Sequence, residues 1–195
     1  MALKIKPKIR SLKELKQVVY DKNWLRKTKD FPVYYMYRGV KKKGNLRYDI
    51  TVIPSKMLNG EFAKTQGHHH PANYGEVYTV LKGKALFLMQ KVEKNKVRDV
   101  FAIKAKKGEN IIVPPGYGHV TINPSGETLK LANWASNSSK SIYGLLGKKG
   151  GACYYYTKTG WVKNKNYGKV PPLRFKKPLK ALPKDLSFLE REGGW

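Results

Sequence analysis

The chain has 195 residues, of which 41% are hydrophobic, and none of its apolar runs approaches the roughly 20 residues of a membrane-spanning helix. Forty Lys and Arg against 13 Asp and Glu give a net charge of +27, which favours anionic partners such as phosphorylated metabolites or polyanions. The composition excludes collagen-like and low-complexity chains. The single cysteine, Cys153, cannot form an internal disulfide, so we expect a cytoplasmic protein.

The first predicted element is a short helix within residues 10–28, where four apolar side chains recur at helical intervals. These side chains are Leu12, Leu15, Val18 and Val19. Residues 32–40 (PVYYMYRGV) and 47–55 (RYDITVIPS) are rich in aromatic and β-branched side chains. The intervening KKKGN predicts that these two segments form a hairpin.

Short β segments then continue as far as residue 164, with Gly, Pro and Asn between them. Their sequences are EVYTVLKGKALFLMQKVE, VRDVFAIKA, ENIIVPPG, HVTINPSG, TLKLANWAS and GACYYYTKTGWVKN. Because no helices alternate with these segments, the pattern predicts an all-β protein, either an antiparallel barrel or a double-sheet jelly roll.

We expect three parts along the chain. Residues 1–29 would form an N-terminal segment with the short helix, and residues 30–157 would form the barrel. Residues 158–195 would form a basic tail, whose prolines leave room for at most a short helix near 184–191.

Three of the four histidines stand together in the stretch GHHHPANYGEVY. On a strand, side chains alternate between faces, so His68 and His70 would share one face and His69 would point away as a bystander. Glu76 follows a loop at residues 71–75, where a hairpin could bring its carboxylate beside the two imidazoles.

His119 follows VPPGYG at the start of another strand and could supply a fourth ligand. A single histidine of this kind is more often structural, but here every histidine falls in one of two similar contexts. Three nitrogens and one carboxylate suit Zn, Fe, Ni, Mn or Co, and affinity order alone does not choose among them. The sequence therefore predicts one divalent metal with coordination positions left for substrate.

A family resemblance is carried by these same stretches. GENIIVPPGYGHVTIN resembles the second cupin motif, G-x5-P-x-G-x2-H-x3-N, at every fixed position. Those positions are Gly108, Pro114, Gly116, His119 and Asn123. The first motif, H-x-H-x(3,4)-E-x6-G, is matched by His68, His70, Glu76 and Gly83. It departs twice, because five residues separate His70 from Glu76 and Phe62 stands where a glycine is expected. The resemblance implies a cupin double-stranded β-helix.

The stretches TQGHHHP, YGEVYTVLKGKALFLMQ and IIVPPGYGHVTIN, with RSLKEL, PVYYMYRG and DITVIP upstream, resemble the archaeal cupin-type glucose-6-phosphate isomerases over about residues 10–157. This resemblance implies interconversion of glucose 6-phosphate and fructose 6-phosphate in glycolysis and gluconeogenesis. It also implies a homodimer with one divalent metal per subunit. The metal ligands would be His68, His70, Glu76 and His119.

Further site residues are implied by the same resemblance. Thr65, Gly67, Thr51 and Tyr35 would hold the substrate phosphate. Glu76 and Tyr78 would serve catalysis, with Tyr143 at the pocket mouth. Trp134 and Lys140 stand in NWASNSSKSIYG, where this sequence departs from the family, and would be further substrate contacts. Glu76 as a base and a direct hydride shift both remain open.

Two other functions are consistent with the sequence. The same ligand set serves iron dioxygenases, although the phosphate-suited threonines and the positive charge argue against an uncharged substrate. A non-enzymic module that binds RNA or another polyanion is supported only by the charge of +27 and by Lys–Tyr pairs in the last third of the chain. We treat nucleic-acid binding as at most a secondary effect of the charge.

Overall fold

The computed structural model describes residues 5–70 and 74–193. The loop predicted at 71–75 therefore lies mostly outside the described residues. Within the described ranges, no helix is both long and apolar enough to cross a membrane.

Fourteen strands and three short helices make up the described chain. In chain order they are β1 (Lys8–Ser11), α1 (Lys22–Lys27), β2 (Pro32–Lys43), β3 (Leu46–Ile53), β4 (Met57–Leu58), β5 (Glu61–Phe62), β6 (Glu76–Lys82), β7 (Lys84–Glu93), β8 (Lys96–Lys106), β9 (Asn110–Val113), β10 (Tyr117–Ile122), β11 (Leu129–Ser136), α2 (Gly144–Lys148), β12 (Tyr154–Thr157), β13 (Gly160–Lys163), β14 (Arg174–Lys176) and the 3₁₀ helix η1 (Ser187–Leu189). The predicted hairpin is β2–β3, and each later β segment forms at least one strand.

The strands form three sheets. Their orders are β1-β2-β3-β11-β6-β9, β10-β7-β8-β14 and β13-β12-β5-β4. Every pairing is antiparallel except that of β14 with β8. From β6 to β11 the chain passes repeatedly between the first two sheets, so it closes as the cupin barrel that the motifs implied.

The barrel is filled from both large sheets. Phe87 and Met89 of β7 are fully buried in a core with Val80 and Leu131 of the six-stranded sheet. The alternate residues of β7 face a second core, which the third sheet covers with aromatic side chains. Since both faces of β7 are buried, its sequence is a continuous apolar run and not an alternating one.

The N-terminal helix is shorter and begins later than the apolar spacing suggested. Leu12, Leu15, Val18 and Val19 precede α1 and are all buried in the main core. The backbone between them forms successive turns, with the Leu15 N–H bonded to Leu12 O and the Val18 N–H bonded to Leu15 O. Turns bury adjacent residues such as Val18 and Val19 together, which a single helical stripe does less well. The helix starts where Asp21 accepts hydrogen bonds from the backbone of Asn23 and Trp24.

The C-terminal tail lies along the barrel. β14 extends the second sheet, and Leu179 forms a backbone bridge with Asn110 of β9. Leu186 and Leu189, at η1, bury their side chains against Leu46 and Val77. The divisions of the chain at residues 29 and 157 stay predictions, and the β12–β13 hairpin spans the second of them.

Candidate metal centre and substrate cavity

A backbone bridge brings the two histidine contexts together. His68 and His119 pair in antiparallel fashion, with N–H to O distances of 3.2 Å from His68 to His119 and 2.9 Å in return. His69 pairs on its other side with Ile142. Alternation therefore turns the His68 ring towards His119 inside the barrel, with ring centroids 4.5 Å apart.

The carboxylate of Glu76 lies at the centre of the histidines. Its Oε1 is 3.2 Å from His70 Nε2 and 3.9 Å from His68 Nε2, and its Oε2 is 3.7 Å from His119 Nε2. One ligand atom each of His68, Glu76 and His119 lies within 4.8 Å of the others. His70 reaches this group through its contact with Glu76.

The protein environment keeps these groups in contrasting charge states. Burial lowers the pKa of His119 to about 3 and also lowers the pKa of His68, so both imidazoles favour the neutral form that binds metals. Burial opposes the charge of Glu76, but its polar interactions with the nearby imidazoles of His68 and His70 outweigh burial and hold the pKa of Glu76 well below its ordinary value. Burial also lowers the pKa of His70, but Glu76 outweighs this and the net pKa is raised. The centre thus pairs an anionic carboxylate with three imidazoles.

The donor atoms fit a divalent cation. His68 Nε2, His70 Nε2 and Glu76 Oε2 are buried, and no hydrogen-bond partner for them occurs among the described residues. Buried polar atoms normally find partners, so such a cluster is expected where an ion is bound. The second ring nitrogen of His70, Nδ1, is 2.8 Å from the carbonyl oxygen of Lys140, which orients the ring as an outer partner orients a metal ligand.

A cavity opens beside this cluster in the barrel interior. Its lining comes from β2, β3, β6, β10 and β11 and from the chain before β6 and α2. The lining residues are Tyr34, Met36, Arg38, Asp49, Thr51, Thr65, Gly67, His68, Glu76, Tyr78, His119, Thr121, Leu131, Asn133 and Tyr143. The structure therefore brings Thr51, Thr65, Gly67, Tyr78 and Tyr143 to the same cavity as the histidines.

Three other predicted substrate contacts are placed elsewhere. Tyr35 alternates with Tyr34 and Met36, which line the cavity, so its side chain leaves from the opposite face of β2. Trp134 packs against Tyr48 with ring centroids 4.9 Å apart, outside the lining. Lys140 contributes its backbone carbonyl to His70, while its side chain is exposed.

The lining also contains polar residues that the sequence reading missed. Tyr34 is buried, and its hydroxyl accepts a hydrogen bond of 3.3 Å from the Gln66 N–H. Arg38 and Asp49 form an ion pair of 3.0 Å at the cavity wall. Asp49 lies two positions before Thr51 on β3, so strand alternation places both side chains on one face and could have predicted that Asp49 lines the cavity.

A family model and several curated proteins match this chain. The model of the glucose-6-phosphate isomerase family matches residues 9–172. The chain belongs to the glucose-6-phosphate isomerase family. The matched residues include the whole histidine cluster and every residue that lines the cavity.

Several curated glucose-6-phosphate isomerases are similar over most of their length. That of Pyrococcus abyssi is 30% identical over 162 residues, which cover 80% of this chain and 83% of the relative. That of Pyrococcus furiosus is 32% identical over 140 residues, with coverages of 69% and 71%. Among solved structures, an oxalate oxidase superposes with a TM-score of 0.46 at 13% identity, over 56% of this chain and 54% of its own.

The fold leaves no room for a side chain at Gly67. Its φ is +75°, and a Cβ would lie 2.5 Å from Val120 Cγ2 and 3.0 Å from His119 O. We expect Gly67→Ala to lower the free energy of unfolding by more than the roughly 1–2 kcal/mol of left-handed strain alone. Gly60→Ala is the matched control, since Gly60 has φ of +89° and nothing within 4 Å of its Cβ position. Urea unfolding of both variants measures the difference, and equal losses would contradict the steric account.

Proposed function

We propose that this protein is a metal-dependent glucose-6-phosphate isomerase, which interconverts glucose 6-phosphate and fructose 6-phosphate in glycolysis and gluconeogenesis. One observation carries the proposal: a carboxylate and histidine cluster shares a single cavity with hydroxyl groups suited to a phosphate, in a chain of this family. A cluster without the threonines would support metal binding alone.

One divalent ion per subunit would be held by His68, His70, Glu76 and His119. The ion would be Fe, Zn, Ni, Mn or Co, all of which accept nitrogen and carboxylate ligands. When bound, the metal would polarise the sugar carbonyl and stabilise negative charge on the neighbouring oxygens.

The substrate phosphate would lie against Thr51, Thr65 and Gly67. Thr65 Oγ1 accepts a hydrogen bond of 3.1 Å from the Thr121 N–H, which leaves its own hydroxyl proton free for an anion. Gly67 has no side chain and so lines the cavity with its backbone alone. Tyr143, whose ring centroid is 5.8 Å from that of His68, would close the sugar pocket at its mouth.

Isomerisation moves a hydrogen between C1 and C2 of the sugar. The cavity lining contains two carboxylates, Asp49 and Glu76. Asp49 is already bonded to two arginines, so Glu76 is the carboxylate available to accept and return a proton. Tyr78, with its hydroxyl 3.1 Å from His119 Nε2, would donate a hydrogen bond to a sugar oxygen.

The proposal includes a homodimer and a cytoplasmic location. The homodimer is supported by the family resemblance, and the location by the resemblance together with the single, buried Cys153.

The direct test is turnover of fructose 6-phosphate by metal-loaded protein, followed through a coupled glucose-6-phosphate dehydrogenase reaction. We expect formation of glucose 6-phosphate, and the reverse reaction from glucose 6-phosphate. Bound metal without turnover in either direction would contradict the isomerase, and oxygen uptake by the iron-loaded protein would then indicate a dioxygenase.

A further inference from the structure

Arg38 is a cation in the cavity wall that the proposed reaction has not yet used. Its side chain is 43% exposed, while that of its partner Asp49 is 5% exposed. Among the described residues that line the cavity, Arg38 is the single Lys or Arg. It is therefore the strongest fixed donor of hydrogen bonds to an anion that enters this space.

Asp49 holds Arg38 in place without neutralising the whole cluster. The Asp49 carboxylate accepts hydrogen bonds from Arg38 Nη1 at 3.0 Å, from Arg47 Nε at 3.0 Å and from the Gly39 N–H at 2.7 Å. Arg47 also donates a hydrogen bond to the Ser136 carbonyl oxygen at 2.5 Å, so its guanidinium is held within the cavity wall. Two guanidinium groups and one carboxylate leave one net positive charge, which Arg38 presents to the cavity.

A local irregularity in the sheet creates this arrangement. The register of β2 against β3 shifts between Tyr37 and Lys41, and Gly39 within the shift has φ of +64°. The shift directs the Gly39 N–H at Asp49, as β-bulges commonly redirect groups at functional sites. Arg38 is thereby placed beside the carboxylate that orients it.

Arg38 lines the same cavity as Thr51 and Thr65. Arg38 Nη2 is 3.9 Å from Met36 Sδ, and Met36 pairs directly with Thr51 across β2 and β3. Sulfur is a weak acceptor, so the Nη2 hydrogens stay available for a stronger one. Arg38 and Thr51 therefore lie on neighbouring strands and line one cavity, where the guanidinium keeps hydrogens for an anion.

We infer that Arg38 binds the phosphate of the substrate together with Thr51 and makes the site select phosphorylated over unphosphorylated sugars. This inference rests on the proposed function for the identity of the sugar. Asp49 would act as a positioning residue, because its carboxylate is paired with Arg38 and Arg47 and an anion would not bind the phosphate directly. A guanidinium offers an oxyanion paired donors as well as charge, which threonine hydroxyls do not.

The test compares binding of glucitol 6-phosphate and glucitol, two unreactive hexitols, to metal-loaded protein by calorimetry, alongside the kinetics of fructose 6-phosphate. For Arg38→Ala we expect about a 10- to 100-fold loss of affinity for glucitol 6-phosphate and a similar rise in KM, with kcat within about threefold of wild type. Affinity for glucitol should stay unchanged. Arg38→Lys, which keeps the charge without the fork, should recover part of the loss.

Arg174→Ala is the matched control, because Arg174 also pairs with an aspartate, Asp99, but lies on the tail outside the cavity. It should leave all of these values unchanged. An Arg38→Ala variant that binds glucitol 6-phosphate as wild type does, or that loses both hexitols equally, would overturn the inference. Wild-type protein that binds glucitol 6-phosphate through Arg38 without isomerising fructose 6-phosphate would overturn the proposed function alone.

Discussion

The variant His119→Ala should lose its metal and about 10³-fold of its turnover of fructose 6-phosphate, because the metal is expected to supply several kcal/mol of charge stabilisation in the transition state. His119 is 2% exposed and its Nε2 faces Glu76 Oε2 at 3.7 Å, so alanine would leave a gap in the ligand set that no neighbouring imidazole fills. Metal content by mass spectrometry after gel filtration, measured beside kcat/KM, checks both parts of this expectation.

His69→Ala provides a histidine control that lies outside the proposed ligand set. His69 stands between His68 and His70 in the chain, but its ring faces a separate small cavity that includes Gln90 and Leu146. We expect it to keep its metal and its turnover. If both variants lose metal equally, the loss reflects a general disturbance of the fold and not the removal of a ligand, and the assignment of His119 is wrong.

The variant Glu76→Gln should retain the shape of the centre but lose its negative charge. The carboxylate contacts His68 and His70 and is 2% exposed, so no water-borne anion can readily replace it. We expect turnover to fall by about 10²- to 10⁴-fold, the usual contribution of a general base, even at metal concentrations that restore full occupancy. Steady-state kinetics over a metal titration separate this effect from weakened metal binding.

Glu109→Gln is the carboxylate control for that experiment. Glu109 is also the partner of a cation, with Oε1 2.5 Å from Lys180 Nζ, but it lies immediately before β9 and outside the cavity lining. Its turnover should equal that of the wild type. Full turnover by metal-saturated Glu76→Gln would show that the carboxylate serves only the metal and takes no proton.

The succession of strands along the barrel could be predicted from the sequence because its signals are local. Turn residues such as Gly83, with φ of +79°, mark where β6 ends and β7 begins. The turns at residues 12–18 could not be predicted from the sequence, because Leu12 and Val18 are buried against a core built from strands far away in the sequence. Helical spacing there was a consequence of burial and not of helix formation.

The site residues could be predicted where a motif fixes the residue type. They were harder to predict where the sequence leaves open which face of a strand lines the cavity. His68, Glu76 and His119 follow from spacing and converge as expected. On β2, a shift of one position exchanges the two faces of the strand, and the structure turns Tyr34 to the cavity instead of Tyr35. Single-sequence patterns do not set that choice when both faces carry aromatic side chains.

The Arg38–Asp49 pair illustrates a further limit. The two residues are 11 positions apart on neighbouring strands, and the register shift near Gly39 decides that they meet. No periodicity in PVYYMYRGV signals that shift, although Arg followed by Gly is a combination in which a bulge could be sought.

The most direct test of the central claim is turnover of fructose 6-phosphate before EDTA treatment, after it, and after reloading with each of Fe, Zn, Ni, Mn and Co. A metal-dependent isomerase predicts that activity is lost with EDTA and returns with at least one of these ions at about one ion per chain. Undiminished turnover by protein shown to be free of metal would contradict the account, since the cluster around Glu76 would then have another purpose.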